Sequence, residues 1–181
     1  IIPGGGGNIE MLDRTLQGAI DAPTTPTEGL IRRVLETVAM AKVSTSADHA
    51  KELLYLGRDD GVTLNRRYLL HAAKQGALAM AEAGFRPPLR RQFRLPGRSA
   101  YAFFDMALSA MRAGEHISDH DLKIAKKIAW VMSGGDCSPK DLVDEQTLLD
   151  LEREAFLSIG GEEKTLQRIG HMLENGKPLR N

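Results

Sequence analysis

Apolar residues recur three and four positions apart through almost the whole of this sequence, and no constraint on its fold is stronger. Alternation over two residues is nearly missing, so the chain reads as mostly α. Ile9, Leu12, Leu16 and Ile20 mark a first helix near residues 8–20, ended by Pro23 and Pro26. Thr27 stands where an N-cap belongs, ahead of a stripe of Leu30, Ile31, Val34, Leu35 and Val38. Ser46 is placed to cap a helix running to about Leu56, with Gly57 at its C-terminal end. Arg58-Asp59-Asp60-Gly61 makes a turn, and Val62-Thr63-Leu64 suits a short strand. Asn65 then caps a helix carrying Leu69, Leu70, Ala73, Ala77, Met80 and Ala81, which Gly84 stops.

Residues 85–98 break the pattern. They hold three prolines, five arginines and no acid, which requires extended or loop backbone. Four helices follow. Ser99 caps one with Phe103, Met106, Ala107 and Met111 inside, ended by Gly114. Ser118 and Asp121 have the spacing of a capping box, ahead of a helix carrying Leu122, Ile124, Ala125, Ile128, Ala129 and Val131 and closed by Gly134-Gly135. A third starts near Ser138-Pro139 with Leu142, Leu148, Leu149, Leu151, Phe156 and Leu157, ending at Gly160-Gly161. The last carries Leu166, Ile169, Met172 and Leu173 before Gly176.

Charge excludes some functions. The 24 basic residues are matched by 24 acidic ones, which argues against a general nucleic-acid binder. No apolar run is long enough to span a bilayer. The single cysteine, Cys137, permits no internal disulfide and suits a reducing, cytoplasmic setting. Its neighbours do not supply a thiolate partner, so it reads as an ordinary thiol.

Of the five histidines, His116 and His120 have metal-ligand spacing, but the cap at Ser118 falls between them. HExxH and CxxC patterns are lacking, so no metal is expected. Glu145, Asp150, Glu152, Glu154, Glu162 and Glu163 read as a solvated acidic surface. Against the nine acids and two bases of residues 136–163, the arginine-rich stretch has two readings. It docks on that acidic face, or it grips phosphates while Phe85 and Phe93 stack on a base.

The N-terminal Pro3-Gly4-Gly5-Gly6-Gly7 loop feeds a helix. Glycines let the backbone approach a ligand, and a helix N-terminus presents N–H donors to an anion, a polarised oxygen or a water. A flexible leader is the other reading. The absence of a leading Met suits a mature product or a piece of a larger chain.

Ile2-Pro3-Gly4-Gly5-Gly6-Gly7 with its helix resembles the Pro-Gly-x-Gly-Gly segment of the crotonase (enoyl-CoA hydratase/isomerase) family. Ala41 to Leu53 looks like a later crotonase stretch, and Leu151 to Phe156 and Gly176 to Asn181 are similar to its terminal helices and closing Lys-Pro. Asp144-Glu145-Gln146, Leu148 to Leu157, His171-Met172-Leu173 and Gly176 to Asn181 look characteristic of a subgroup. These are bacterial bifunctional 3-hydroxyacyl-CoA dehydrogenase/enoyl-CoA hydratases whose dehydrogenase part comes first. Residues 85–98 depart from compact hydratases.

The resemblance implies the C-terminal portion of a crotonase-like α/β domain lacking its N-terminal β-rich core. Residues 1–84 would be the C-terminal half of the hydratase core, 85–98 a linker or insert, and 99–181 a helical subdomain. It implies a fatty-acid β-oxidation enzyme, an oxidoreductase and lyase, acting on acyl-CoA thioesters. NAD would serve the parent and no cofactor this piece, with coenzyme A entering as part of the substrate. The partners would be the upstream dehydrogenase and hydratase parts, in a homo-oligomer. The hydratase glutamates and oxyanion donors would lie upstream, so this piece alone would be inactive. Gly4 matches the glycine whose backbone N–H holds the catalytic water. Lys177 sits where crotonases place a terminal basic residue near the CoA phosphates, and Arg90 and Arg91 are further substrate-binding candidates. From another class comes the alternative of a non-catalytic helical interaction module of crotonase ancestry.

Overall fold

The computed structural model describes residues 2–16 and 27–181. The expected extension of the first helix to Ile20 and its ending at Pro23 and Pro26 lie outside the described residues. The order is α1 (Gly7–Leu16), α2 (Glu28–Ala39), α3 (Ala47–Glu52), a 3-10 turn (Arg66–Tyr68), α4 (Leu69–Glu82), β1 (Gln92–Arg94), α5 (Arg98–Ala113), α6 (Asp119–Ser133), β2 (Leu142–Asp144), α7 (Glu145–Gly160) and α8 (Glu163–Asn175). The chain is mostly helical, as the periodicity requires. Packing divides it into two compact units, one of Ile1–Val43 with Arg91–Asn181, the other Ser44–Arg90.

The larger unit is organised by α6. Ile124, Ala125, Ile128, Ala129, Val131 and Met132 are buried on it, and it packs against α1, α2, α5 and α7. The capping box forms as the sequence requires. Ser118 Oγ accepts from Asp121 N at 3.1 Å, and Asp121 Oδ2 accepts from Ser118 N at 3.2 Å. Gly134 ends the helix with φ 84°, a backbone that glycine adopts without steric cost. Ile9, Leu12 and Leu16 of α1 and Ile31, Val34 and Leu35 of α2 are buried on the expected faces.

Several expectations are corrected. Thr27 occupies the cap position of α2 but makes no side-chain cap bond. The helix after Ser46 stops at Glu52 rather than near Leu56, although Ser46 Oγ caps it at 3.0 Å from His49 N. Val62-Thr63-Leu64 is not a strand, because it has no pairing partner. Gly97, not Ser99, is the N-cap of α5, with φ 66°. A Cβ there would collide with the Cys137 carbonyl.

The inward face of α5 is Ala100, Phe104 and Leu108, whereas Phe103 and Met106 are exposed. The helix expected near Ser138 begins at Glu145, because residues 142–144 pair as a strand. That strand and β1 run antiparallel, with Phe93 opposite Val143 and both buried. Part of the Pro/Arg-rich stretch is therefore β-structure held in the core. The buried face of α7 is Leu148, Glu152, Ala155 and Ile159, while Phe156 and Leu157 point outward. On α8, Thr165 and Arg168 are buried and Leu166, Met172 and Leu173 are exposed.

In the unit Ser44–Arg90, Asn65 Oδ1 accepts from Arg67 N at 3.0 Å and begins the 3-10 turn that leads into α4. Gly57 N donates to Asp60 Oδ2 at 2.8 Å in the turn before it. No residue of α4 is buried.

Candidate functional site

The glycine loop is closed by a residue that the sequence hid. Glu152, expected on a solvated acidic face, is 3% exposed. Its Oε1 accepts from Gly6 N at 2.7 Å, and its Oε2 accepts from Asn8 N at 3.2 Å and Asn8 Nδ2 at 2.9 Å. The carboxylate thus lies on the free N–H groups at the start of α1, where the helix dipole favours negative charge. Asn8 Nδ2 also reaches the Pro3 carbonyl at 3.4 Å, which ties the loop back on itself. The amide is assigned by its surroundings, since a flipped Asn8 would aim its oxygen at the carboxylate. Asn8 Oδ1 is buried without a hydrogen-bond partner.

The anion at this helix start is therefore the protein's own carboxylate. Gly4, one turn earlier, is exposed, and a Cβ on it would meet nothing within 4 Å. Glu152 carries only a weak sequence signal, since large apolar side chains lie all round α7. It falls four residues after Leu148 and three before Ala155, in register with the apolar face.

Arg90 is exposed. Arg91 is engaged by three carboxylates. Its Nη1 lies 2.7 Å from Glu10 Oε2 and 3.3 Å from Asp13 Oδ2, and its Nη2 lies 2.6 Å from Glu145 Oε1. The Glu145 hydrogen bond is the main reason its guanidinium is held above its ordinary pKa, against the opposing effect of burial. Arg94 Nη1 donates to the Lys140 carbonyl at 2.9 Å, and Arg98 pairs with Asp136. Residues 91–98 thus dock on the acidic segment, the first of the two readings that charge allowed. Phe93 is fully buried in the core and offers no stacking face.

Lys177 lies on the exposed segment after α8. A second polar cluster holds that segment. Arg168 Nη1 donates to Asp121 Oδ1 at 2.7 Å, Arg168 Nε to Asn181 Oδ1 at 2.8 Å, and Arg180 Nη2 to the Met40 carbonyl at 3.1 Å. Arg180 Nη1 stands 3.4 Å from Asp121 Oδ2. Burial pushes the Asp121 carboxyl up. The Arg168 hydrogen bond and the Ser118 backbone N–H outweigh it and hold the group below the ordinary carboxylate value.

His120 is buried, with Nε2 3.0 Å from Thr165 Oγ1. Burial, then the nearby Arg168 cation, lowers its pKa, so the ring is neutral near pH 7. His116 lies in the turn before the Ser118 cap, apart from the helix that carries His120. Burial raises the Cys137 thiol, in keeping with an ordinary thiol. Among the described residues, no group of three or more His, Cys, Asp or Glu side chains is placed to hold a metal ion. No helix among them is long and apolar enough to cross a membrane.

Over all of its 181 residues, the chain is 44% identical to the Bacillus subtilis (strain 168) protein named "Probable 3-hydroxyacyl-CoA dehydrogenase". It spans only 22% of that relative's length. No protein-family model matches the chain. No solved structure matches it.

Proposed function

We propose that this chain is the C-terminal portion of an enzyme of fatty-acid β-oxidation, a 3-hydroxyacyl-CoA dehydrogenase that also carries an enoyl-CoA hydratase part. The observation that supports the dehydrogenase reading is the 44% identity, over all 181 residues, to the B. subtilis relative; the hydratase part rests on the resemblance of the glycine loop and the terminal helices. In it, residues 1–84 are the C-terminal half of the hydratase core, 85–98 a linker or insert whose residues 92–94 form β1, and 99–181 a helical subdomain. The parent acts on acyl-CoA, uses NAD for hydride transfer and assembles as a homo-oligomer in the cytoplasm. This piece holds the closing loop of the hydratase site and makes contacts with the upstream parts.

Its residues take defined parts. Gly4 offers a backbone N–H to the water that adds across the enoyl double bond. Glu152 fixes the loop that presents it, because three of the loop's donors end on its carboxylate. Lys177 and Arg90, exposed on separate units, are each taken independently as a cation for a CoA phosphate. The chemistry of both active sites is supplied upstream, so the 181 residues alone are inactive.

The test uses the natural full-length protein. Oxidation of a 3-hydroxyacyl-CoA is followed by NADH formation, and hydration of crotonyl-CoA by loss of the enoyl absorbance. Both activities are expected in the full protein and neither in the 181-residue chain. Absence of the first would overturn the dehydrogenase reading, and absence of the second the hydratase reading.

One observation favours the alternative of a non-catalytic interaction module. Leu64, Leu70 and Leu89 are 97%, 82% and 92% exposed, and no residue of α4 is buried, so this unit leaves apolar side chains open to a partner. A full-length protein with neither activity would favour that module.

A further inference from the structure

Lys123, Lys126, Lys127 and Trp130 follow one another along α6 at i, i+3, i+4 and i+7, which sets all four on one side of the helix. With Tyr101 of α5 they line a shallow depression of about 320 Å³. The Tyr101 and Trp130 rings meet edge-on, with centroids 5.1 Å apart and planes at 83°. An edge-on pair covers one face of one ring, so aromatic surface remains for a flat ligand to stack on.

The rim carries three ammonium groups. Lys126 Nζ stands 2.8 Å from Asp105 Oδ1, and Lys123 Nζ 2.5 Å from Glu162 Oε1. Lys127 has no carboxylate within ion-pair distance among the described residues. Both acids are partly exposed, at 36% and 32%, and ion pairs of that kind are weakly held. A phosphate dianion brings more charge and more acceptor oxygens than either carboxylate, so it competes well for these lysines.

We infer that this depression binds a phosphorylated adenosine, with the base against Tyr101 and Trp130 and the phosphate among Lys123, Lys126 and Lys127. The aromatic pair accounts for a base and the lysines for a phosphate, and neither alone would select the whole group. The assignment of that adenosine to coenzyme A, which bears a 3′-phosphate, rests on the proposed function. NAD is the other source of the same chemistry, since its adenosine carries a pyrophosphate and no 3′-phosphate.

The test titrates the natural full-length protein with adenosine 3′,5′-bisphosphate, ADP and inorganic phosphate by calorimetry. Lys127→Gln and Trp130→Leu are each expected to weaken the bisphosphate about tenfold. Lys123→Gln, an exposed change that spares the core, serves as a second variant should Trp130→Leu not fold. Lys127→Gln should also raise the KM for acyl-CoA several-fold with kcat unchanged.

A bisphosphate Kd that moves less than about twofold in both lysine variants overturns the site. Inorganic phosphate binding as tightly as the nucleotides overturns the role of the rings. ADP binding as tightly as the bisphosphate removes the 3′-phosphate from the recognition, which overturns the preference for coenzyme A over NAD and keeps the phosphorylated adenosine. An unchanged acyl-CoA KM in an active protein whose bisphosphate binding is weakened overturns the coenzyme A assignment and leaves the enzyme reading standing. Bisphosphate binding lost in Lys127→Gln, in a protein that turns over no acyl-CoA, does the reverse.

Discussion

In the unit of residues 1–43 and 91–181, α6 packs its apolar face against four helices. In Ser44–Arg90, the α4 helix buries nothing. Both regions show the same helical spacing of Leu, Ala and Met. The difference lies in long-range ties. Arg91 links α1, β1 and α7, Glu152 links α7 to the glycine loop, and Asp121 links α6 to α8. Among the described residues, the caps and turns of Ser44–Arg90 are held by local bonds. Amphipathic spacing makes a helix possible, but only contacts distant in sequence make it part of a core.

The comparison breaks first, if at all, in the core. Phe104→Ala should lower the stability of the 181-residue chain by about 3–5 kcal/mol in urea unfolding, because the ring is 1% exposed. A loss below about 1 kcal/mol would mean that α5 is not a core helix.

Glu152→Ala should cost about 3 kcal/mol, since it removes the acceptor from three donors, those of Asn8 buried and that of Gly6 part-buried. Glu152→Gln should recover part of this, because one amide oxygen still accepts. Equal losses for the two variants would show that packing, and not the donors, decides.

A smaller effect lies in acid. His120 has a pKa below its ordinary 6.5, so the unfolded chain binds its proton more readily. Its contribution is complete above about pH 6.5 and is lost as pH falls through the folded value. Asp121, held below its ordinary 3.8, adds a second loss at lower pH with the same sign. His120→Gln should flatten the upper part of a stability–pH curve and leave the lower part. An unchanged curve would assign the acid sensitivity elsewhere.

The smallest effect is expected at α4. Leu70→Ser should change stability by no more than about 0.5 kcal/mol, because the side chain is 82% exposed. It sharpens the comparison when repeated in the full-length protein, where a loss of about 1 kcal/mol or more would show that upstream residues cover this face. A core-sized loss in the 181-residue chain itself would erase the distinction between the units.

Much of the fold was legible where a local rule sufficed. The Ser118–Asp121 box, the Ser46 cap, and the Gly134 and Gly176 ends all stand where spacing put them, whereas Asn65 caps the 3-10 turn ahead of α4 and not α4 itself. The inward faces of α5, α7 and α8 were not legible. In each, large apolar side chains alternate round the helix, and periodicity alone does not choose between Phe103 and Phe104 or between Leu157 and Ile159. The candidate site was legible as a glycine loop and an arginine-rich stretch. Its organising residue, Glu152, was hidden because a charged residue counts as surface until its partners are known.

What the sequence determined by itself is the run of helices and those caps, at Ser46 and Ser118, that depend on residues within a few positions of one another. Tertiary structure alone decided which carboxylates and cations are buried. Gly6 and Glu152 are 146 residues apart, and Arg91 and Glu145 are 54 apart. A charge enters the interior only where opposite charge or free N–H groups meet it. For Glu152 the partners come from the start of α1, and for Asp121 from α8.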